Sequence, residues 1–147
     1  MVALTYDDGP GDRTTEELLD LFEKEGVVCT FYELGKNVQE VQGGKDLLKR
    51  ELDLGCEIGT HSWNHPDLTT LSDGQVKEQA TKSIAAIKDA TGQNPTTFRA
   101  PYGNGNNKIS KIFGDYQILD INQTSMSITD GESLIACRKI EKVENGM

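Results

Sequence analysis

A mostly parallel α/β sheet or barrel is the fold this sequence predicts, on three observations. Short apolar, β-branched runs alternate with amphipathic helical stretches along the chain. The helical stretches stop at glycines, namely Gly26, Gly55 and one near Gly92. Three polar clusters, Tyr6-Asp7-Asp8-Gly9-Pro10, His61-Ser62-Trp63-Asn64-His65 and Arg99-Ala100-Pro101-Tyr102-Gly103, each begin where a predicted strand ends. In a parallel fold those points share one rim.

Taken in order, a strand over 2–6 precedes a helix over 15–24, whose Leu18, Leu19, Leu21 and Phe22 form one face and whose Thr14 and Glu17 make a capping box. The β-branched run over 27–32 reads as a buried strand, too short for a helix and too apolar for an edge. A helix over 45–54 stops at Gly55, and residues 56–60 give a short third strand. The mixed charges from Lys45 to Asp53 read as a solvated helix face. From Ser72, with Gln75 as capping-box partner, a long helix carries Val76, Ala80, Ile84 and Ile87 on one stripe. After Pro95 come a strand over 96–99, a Gly- and Asn-rich turn, a helix over 108–113, a strand over 116–121 and a final helix over 131–143. No repeat or linker divides the chain, so residues 1–147 are expected to form a single domain.

The composition narrows the partners. A formal net charge of −9 argues against nucleic acid and anionic membrane surfaces, which recruit clustered Lys and Arg. No apolar stretch approaches the roughly 20 residues needed to span a bilayer. The N-terminus runs straight into a strand, with no leader, as in a domain cut from a longer precursor. Cys29, Cys56 and Cys137 are odd in number and widely spaced, which predicts buried free thiols rather than a disulfide framework.

His61 and His65 are the only histidines, and their spacing would put both imidazoles on one side of a helical turn, within reach of a common ion. One of Asp7 and Asp8 could add a carboxylate, giving a set with positions left for water and substrate. The free aspartate would be placed as a general base, with Arg99 holding it ionised. The plainer alternatives are an accidental surface pair of histidines and a tight turn at Asp7-Asp8-Gly9-Pro10. A closed structural zinc site is disfavoured because the cysteines show no paired spacing around the histidines.

Thr5-Tyr6-Asp7-Asp8-Gly9-Pro10, His61-x-x-x-His65 and Arg99-x-Pro101-Tyr102 resemble, in order and spacing, three motifs of the polysaccharide deacetylase family, carbohydrate esterase family four. The resemblance covers roughly residues 1–121. It implies a distorted (β/α) barrel, incomplete in this chain, and hydrolytic deacetylation of an acetylated glycan, most often one containing N-acetylglucosamine such as chitin or peptidoglycan. Acetylxylan is the alternative substrate. It further implies Asp7 as general base, Asp8, His61 and His65 as ligands of one divalent ion, Arg99 as the partner that orients Asp7, and the Tyr102 backbone N–H as an oxyanion donor. Zinc is the default ion, with cobalt, nickel or iron compatible. A secreted or cell-surface location is implied by the family alone. Trp63 and Tyr102 could offer faces to a sugar ring, although packing accounts equally well for Trp63.

The sequence departs from the family after residue 121. Asn122, Ser125 and Met126 stand where members carry Asp, Asp and Trp, and no Leu-x-His motif bearing the general-acid histidine follows. A second expectation therefore stands beside the working enzyme, that of a catalytically dead, metal-retaining, carbohydrate-binding module. A sheet lacking its last strand would also expose the edge of the first and favour association of copies.

Overall fold

The computed structural model describes residues 3–121. Its elements run β1 (Thr5–Gly9), α1 (Arg13–Glu25), β2 (Thr30–Glu33), α2 (Gly35–Glu40), α3 (Gly44–Asp53), β3 (Glu57–Thr60), α4 (Asp73–Thr91), β4 (Thr97–Phe98), α5 (Asn107–Gly114) and β5 (Leu119–Asp120), with single 3-10 turns at Leu68–Thr70 and Pro101–Gly103. Every strand pairing is parallel and the order is β1-β2-β3-β4-β5. This is the α/β architecture expected from the alternation, an unclosed sheet with β1 and β5 as its edges among the described residues.

Alternation along the strands sorts side chains onto two faces. One face packs under the helices in three apolar clusters. Leu19 and Phe22 of α1 meet Phe31, Cys29 and Cys56; Val38, Leu48, Ala86 and Ile87 close over Ile58; and Val76, Ala80, Ile109, Ile112 and Phe113 cover Phe98. The Phe98 and Phe113 rings stack at 3.7 Å. Each fully buried ring of this kind contributes about 2–3 kcal/mol by leaving water. The opposite face carries a polar row, because the register sets Asp7 against Tyr32 and Tyr32 against Gly59.

The helix over 72–92 forms as predicted, with its Ser72–Gln75 capping box in place and Gly92 in the left-handed conformation at its end. Other elements differ. β1 starts at Thr5 and runs through the aspartates to Gly9, because its partner β2 starts only at Thr30. Cys29 consequently precedes its strand, and Val28 is exposed rather than buried. α1 starts two residues early, capped by the Asp12 carboxylate on the Arg13 N–H; Thr14 already lies inside the helix, so its expected box with Glu17 gives way. α2 was not foreseen, since it is six residues long and begins with a glycine and no side-chain cap. β4 and β5 are two residues each, shorter than their apolar runs. The solvated face expected on α3 fails at Glu51, which is fully buried against Glu33 of β2. The predicted helix over 131–143, Cys137 and the family departures after 121 lie outside the described residues.

Candidate active site

The three polar clusters meet at the carboxyl ends of β1, β3 and β4. Asp8 Oδ1 lies 3.3 Å from His61 Nε2 and 3.3 Å from His65 Nε2. The ligand atoms of Asp8, His61 and His65 all fall within 4.8 Å of one another.

The two histidines do not converge through a helical turn, as their spacing suggested. The segment after β3 is an irregular loop in which Ser62 (φ 81°) and His65 (φ 63°) take left-handed backbone. Ser62 Oγ accepts the His65 N–H at 3.0 Å, and Gln79 Oε1 accepts the Trp63 N–H at 3.0 Å. Asp8 (φ 73°) and Tyr102 (φ 60°) are left-handed as well. Of the five non-glycine residues with positive φ among the described residues, four thus sit at this rim, and such costly conformations concentrate where the surroundings hold side chains for function.

His61 is oriented from behind, and the Asp8 main chain is anchored. The Arg99 carbonyl can only accept, so the 2.7 Å contact to His61 Nδ1 puts the proton there and leaves the Nε2 lone pair facing Asp8. Asn37 Nδ2 donates to the Asp8 carbonyl at 2.9 Å. When the imidazoles are protonated, a hydrogen bond from His61 and the charges of His61 and His65 hold the Asp8 carboxyl below the usual carboxylate range despite partial burial; the neutral Nδ1–H form of His61 instead turns its Nε2 lone pair to the cluster. Two imidazole nitrogens and one carboxylate oxygen fit a borderline divalent ion such as zinc. The set is three-sided and open, since His61 is buried while the Asp8 side chain is 63% exposed.

Asp7, the neighbour of Asp8 in β1, is paired with Arg99. Arg99 Nη1 donates to Asp7 Oδ1 at 2.8 Å and to Thr5 Oγ1 at 2.8 Å, and Arg99 Nε donates to the Ile121 carbonyl at 3.3 Å. The guanidinium also lies 4.3 Å over the Tyr32 ring, so a buried cation is held by charge, hydrogen bonds and an aromatic face together. Tyr102 stands exposed at the mouth, its ring 4.5 Å from that of His65 and edge-on to it. Trp63 instead packs onto the Val38–Leu48–Ile58 cluster and against Gly35, where a Cβ would lie 2.8 Å from Cε3.

Tyr32, Asn37 and Gln79 serve this site and were not anticipated, and Thr5 and Ser62 lie within the quoted motifs without a role assigned to them. Thr5 and Tyr32 could have been found from strand parity, since each lies on the same face as Asp7 once the register is known. Asn37 had no signal without α2.

The sequence model of the family described as Polysaccharide deacetylase matches residues 1–119. The peptidoglycan-N-acetylglucosamine deacetylase PgdA of Listeria monocytogenes is 42% identical over 113 residues, 77% of this chain and 24% of that protein. The chain therefore spans about a quarter of the length of the first curated relatives it matches. Among solved structures, a family 4 carbohydrate esterase from Streptomyces lividans in complex with acetate superposes with a TM-score of 0.76 at 29% identity, covering 82% of this chain and 60% of that one. A family 4 pseudoenzyme from Bacillus anthracis gives a TM-score of 0.75 at 31% identity, covering 83% and 42%.

Proposed function

Because this chain belongs to the polysaccharide deacetylase family, we propose that it hydrolyses acetyl groups from a polysaccharide containing N-acetylglucosamine, of the peptidoglycan or chitin type, with a divalent ion at Asp8, His61 and His65. The observation that carries this reading is the open Asp8–His61–His65 cluster beside an Asp7 that Arg99 holds in place. Residues 1–147 act as one deacetylase-like domain in it. The substrate class places the work outside the cell or at its surface, and acetylxylan is the minor alternative.

Asp7 is the general base: its Oδ1 is fixed by Arg99, which leaves its other oxygen to take a proton from the attacking water. What a divalent ion supplies when bound is Lewis-acid polarisation of the acetyl oxygen and acidification of water beside it. The Tyr102 backbone N–H, on a 3-10 turn stiffened by Pro101, donates to the oxygen as negative charge develops. The exposed Tyr102 ring offers a face to the sugar.

The second reading is a metal-retaining module without turnover. It is favoured by the likeness to a pseudoenzyme of the same family. Acetate release separates the two. The zinc-loaded chain is assayed on acetylated chitooligosaccharides, peptidoglycan and acetylxylan, with Asp7→Asn and His61→Ala as controls. Release lost in both variants establishes the deacetylase. A folded, zinc-binding protein that releases no acetate from any of them is the module.

A further inference from the structure

A second group of reactive side chains lies at the opposite end of the sheet, and the proposed reaction does not use it. Thr30 of β2 pairs with Glu57 of β3, which brings the preceding residues, Cys29 and Cys56, side by side. The Glu57 N–H donates to the Cys29 carbonyl at 3.0 Å, so the ladder continues to this point. Both thiols are free and buried, within one cluster formed with Leu19, Phe22 and Phe31. Paired positions of a parallel ladder turn their side chains to the same face, and both cysteines belong to one apolar cluster there. Neighbouring strands stand about 4.8 Å apart. That separation lies within the roughly 4.4–6.8 Å between Cα atoms that a disulfide spans.

Buried thiols need a route to a reagent, and Cys56 has one. A cavity of about 240 Å³ opens at the amino ends of β3 and β4, with Leu52, Gly55, Cys56, Ile87, Pro95 and Thr96 in its wall. Cys29 does not line it. The two residues therefore differ in access while standing side by side, which is the arrangement of an attacking thiol and a resolving thiol.

We propose that Cys29 and Cys56 are a redox-active pair, which closes to a disulfide by exchange with a small-molecule disulfide entering the cavity. In the first step Cys56 Sγ, as thiolate, attacks one sulfur of the reagent; a mixed disulfide forms and the other sulfur leaves as a thiolate. In the second, Cys29 gives up its proton to that thiolate and attacks Cys56 Sγ, and the remaining half of the reagent leaves as a second thiolate. The protein loses two protons and two electrons, and the reagent is reduced to two thiols. Cys56 moves first because it lines the cavity and the neighbouring Cys29 pulls its thiol down to about 6, whereas Cys56 and burial push Cys29 up. The bond ties β2 to β3 at the end remote from the rim.

The test uses the full folded chain and its Cys137→Ser variant, treated with hydroxyethyl disulfide in native buffer and read by intact mass, peptide mapping and thermal unfolding. The expected product is lighter by two hydrogens, joins the peptides holding Cys29 and Cys56 through a reducible bond, and melts higher than the reduced chain. Cys29→Ser, which lacks the resolving thiol, should keep one hydroxyethylthio group on Cys56. Thiols that both stay alkylatable, under exposure that oxidises the urea-unfolded chain, would overturn the proposal. So would an adduct on Cys29 in place of Cys56. Neither readout depends on acetate release.

Discussion

His61 and Arg99, separated by 38 positions in sequence, are joined by a 2.7 Å hydrogen bond from the imidazole Nδ1 to the arginine backbone carbonyl. One residue thus serves two tasks by different atoms: the Arg99 main chain aims His61 at Asp8, and its side chain holds Asp7. Substitutions that spare the main chain should separate the tasks. His61→Ala or Asp8→Asn should weaken zinc binding by about 100-fold or more, since losing even an outer-shell partner costs roughly 10- to 100-fold. Arg99→Met keeps the carbonyl and should change it far less. Competition against a chelator of known affinity measures both; equal losses in all three variants would contradict this division.

Asp7 is expected to matter for rate and not for zinc. Asp7→Asn should lower kcat/KM by about 10²- to 10⁴-fold, the usual contribution of a positioned base. Zinc affinity should stay near that of the parent chain. Arg99→Met should in addition destabilise the fold, because Arg99 is buried and Asp7 would lose its partner. About 2–4 kcal/mol is expected by urea unfolding, less than for a fully enclosed pair because Asp7 still reaches water.

How much of this was legible in sequence depends on the range of the signal. Helices with caps and stripes, such as Ser72–Gln75 with Val76, Ala80 and Ile87, carry their information within a few residues. The convergence of Asp8, His61 and His65 was legible because their clusters begin where apolar runs end and His65 follows His61 by four residues, although the path that joins the histidines is a strained loop and not a helix. Glu51 shows the limit. Its charge and neighbours describe a surface position, and its burial follows from where α3 crosses β2, which no local pattern records. The roles of Thr5 and Tyr32 were missed for the same reason, since strand register is a tertiary fact.

Glu33 and Glu51 predict a pH dependence of stability. Both are 0% exposed, and among the described residues no hydrogen-bond donor reaches their carboxyl oxygens, so burial favours the protonated, uncharged form of both. Burial pushes both carboxyls well above the ordinary glutamate value, and the neighbouring Glu33 raises Glu51 further. The unfolded chain releases these protons near the ordinary glutamate value of about 4.3. The stabilisation is therefore complete below that value and is lost as pH rises toward the folded-state values. Its slope is about 1.4 kcal/mol per pH unit for each proton that only the folded state retains. The Tm should fall from about pH 5 to about pH 8. Glu51→Gln, whose amide can donate to Glu33 without titrating, should flatten that fall, and an unchanged slope in calorimetry would show that the pair is not its source.

Gly59 tests whether the row beneath the site is rigid. It sits between Tyr32 and Thr97, and a Cβ there would fall 2.7 Å from Thr97 Oγ1 and 2.7 Å from two Tyr32 ring carbons. Gly59 is not itself left-handed in backbone, so the constraint is space rather than conformation. Tyr32 cannot yield freely, because the Arg99 guanidinium lies 4.3 Å over its ring and ends on Asp7. Gly59→Ala should therefore cost about 1–3 kcal/mol, the usual penalty of overpacking. It should also lower kcat more than it raises KM, by displacing Arg99 and with it the base. Zinc affinity should hold, since His61 is aimed by the Arg99 main chain rather than its side chain. If Gly59→Ala loses stability but keeps full kcat, Tyr32 supports the fold alone and the placement of Asp7 rests on Arg99 and Thr5.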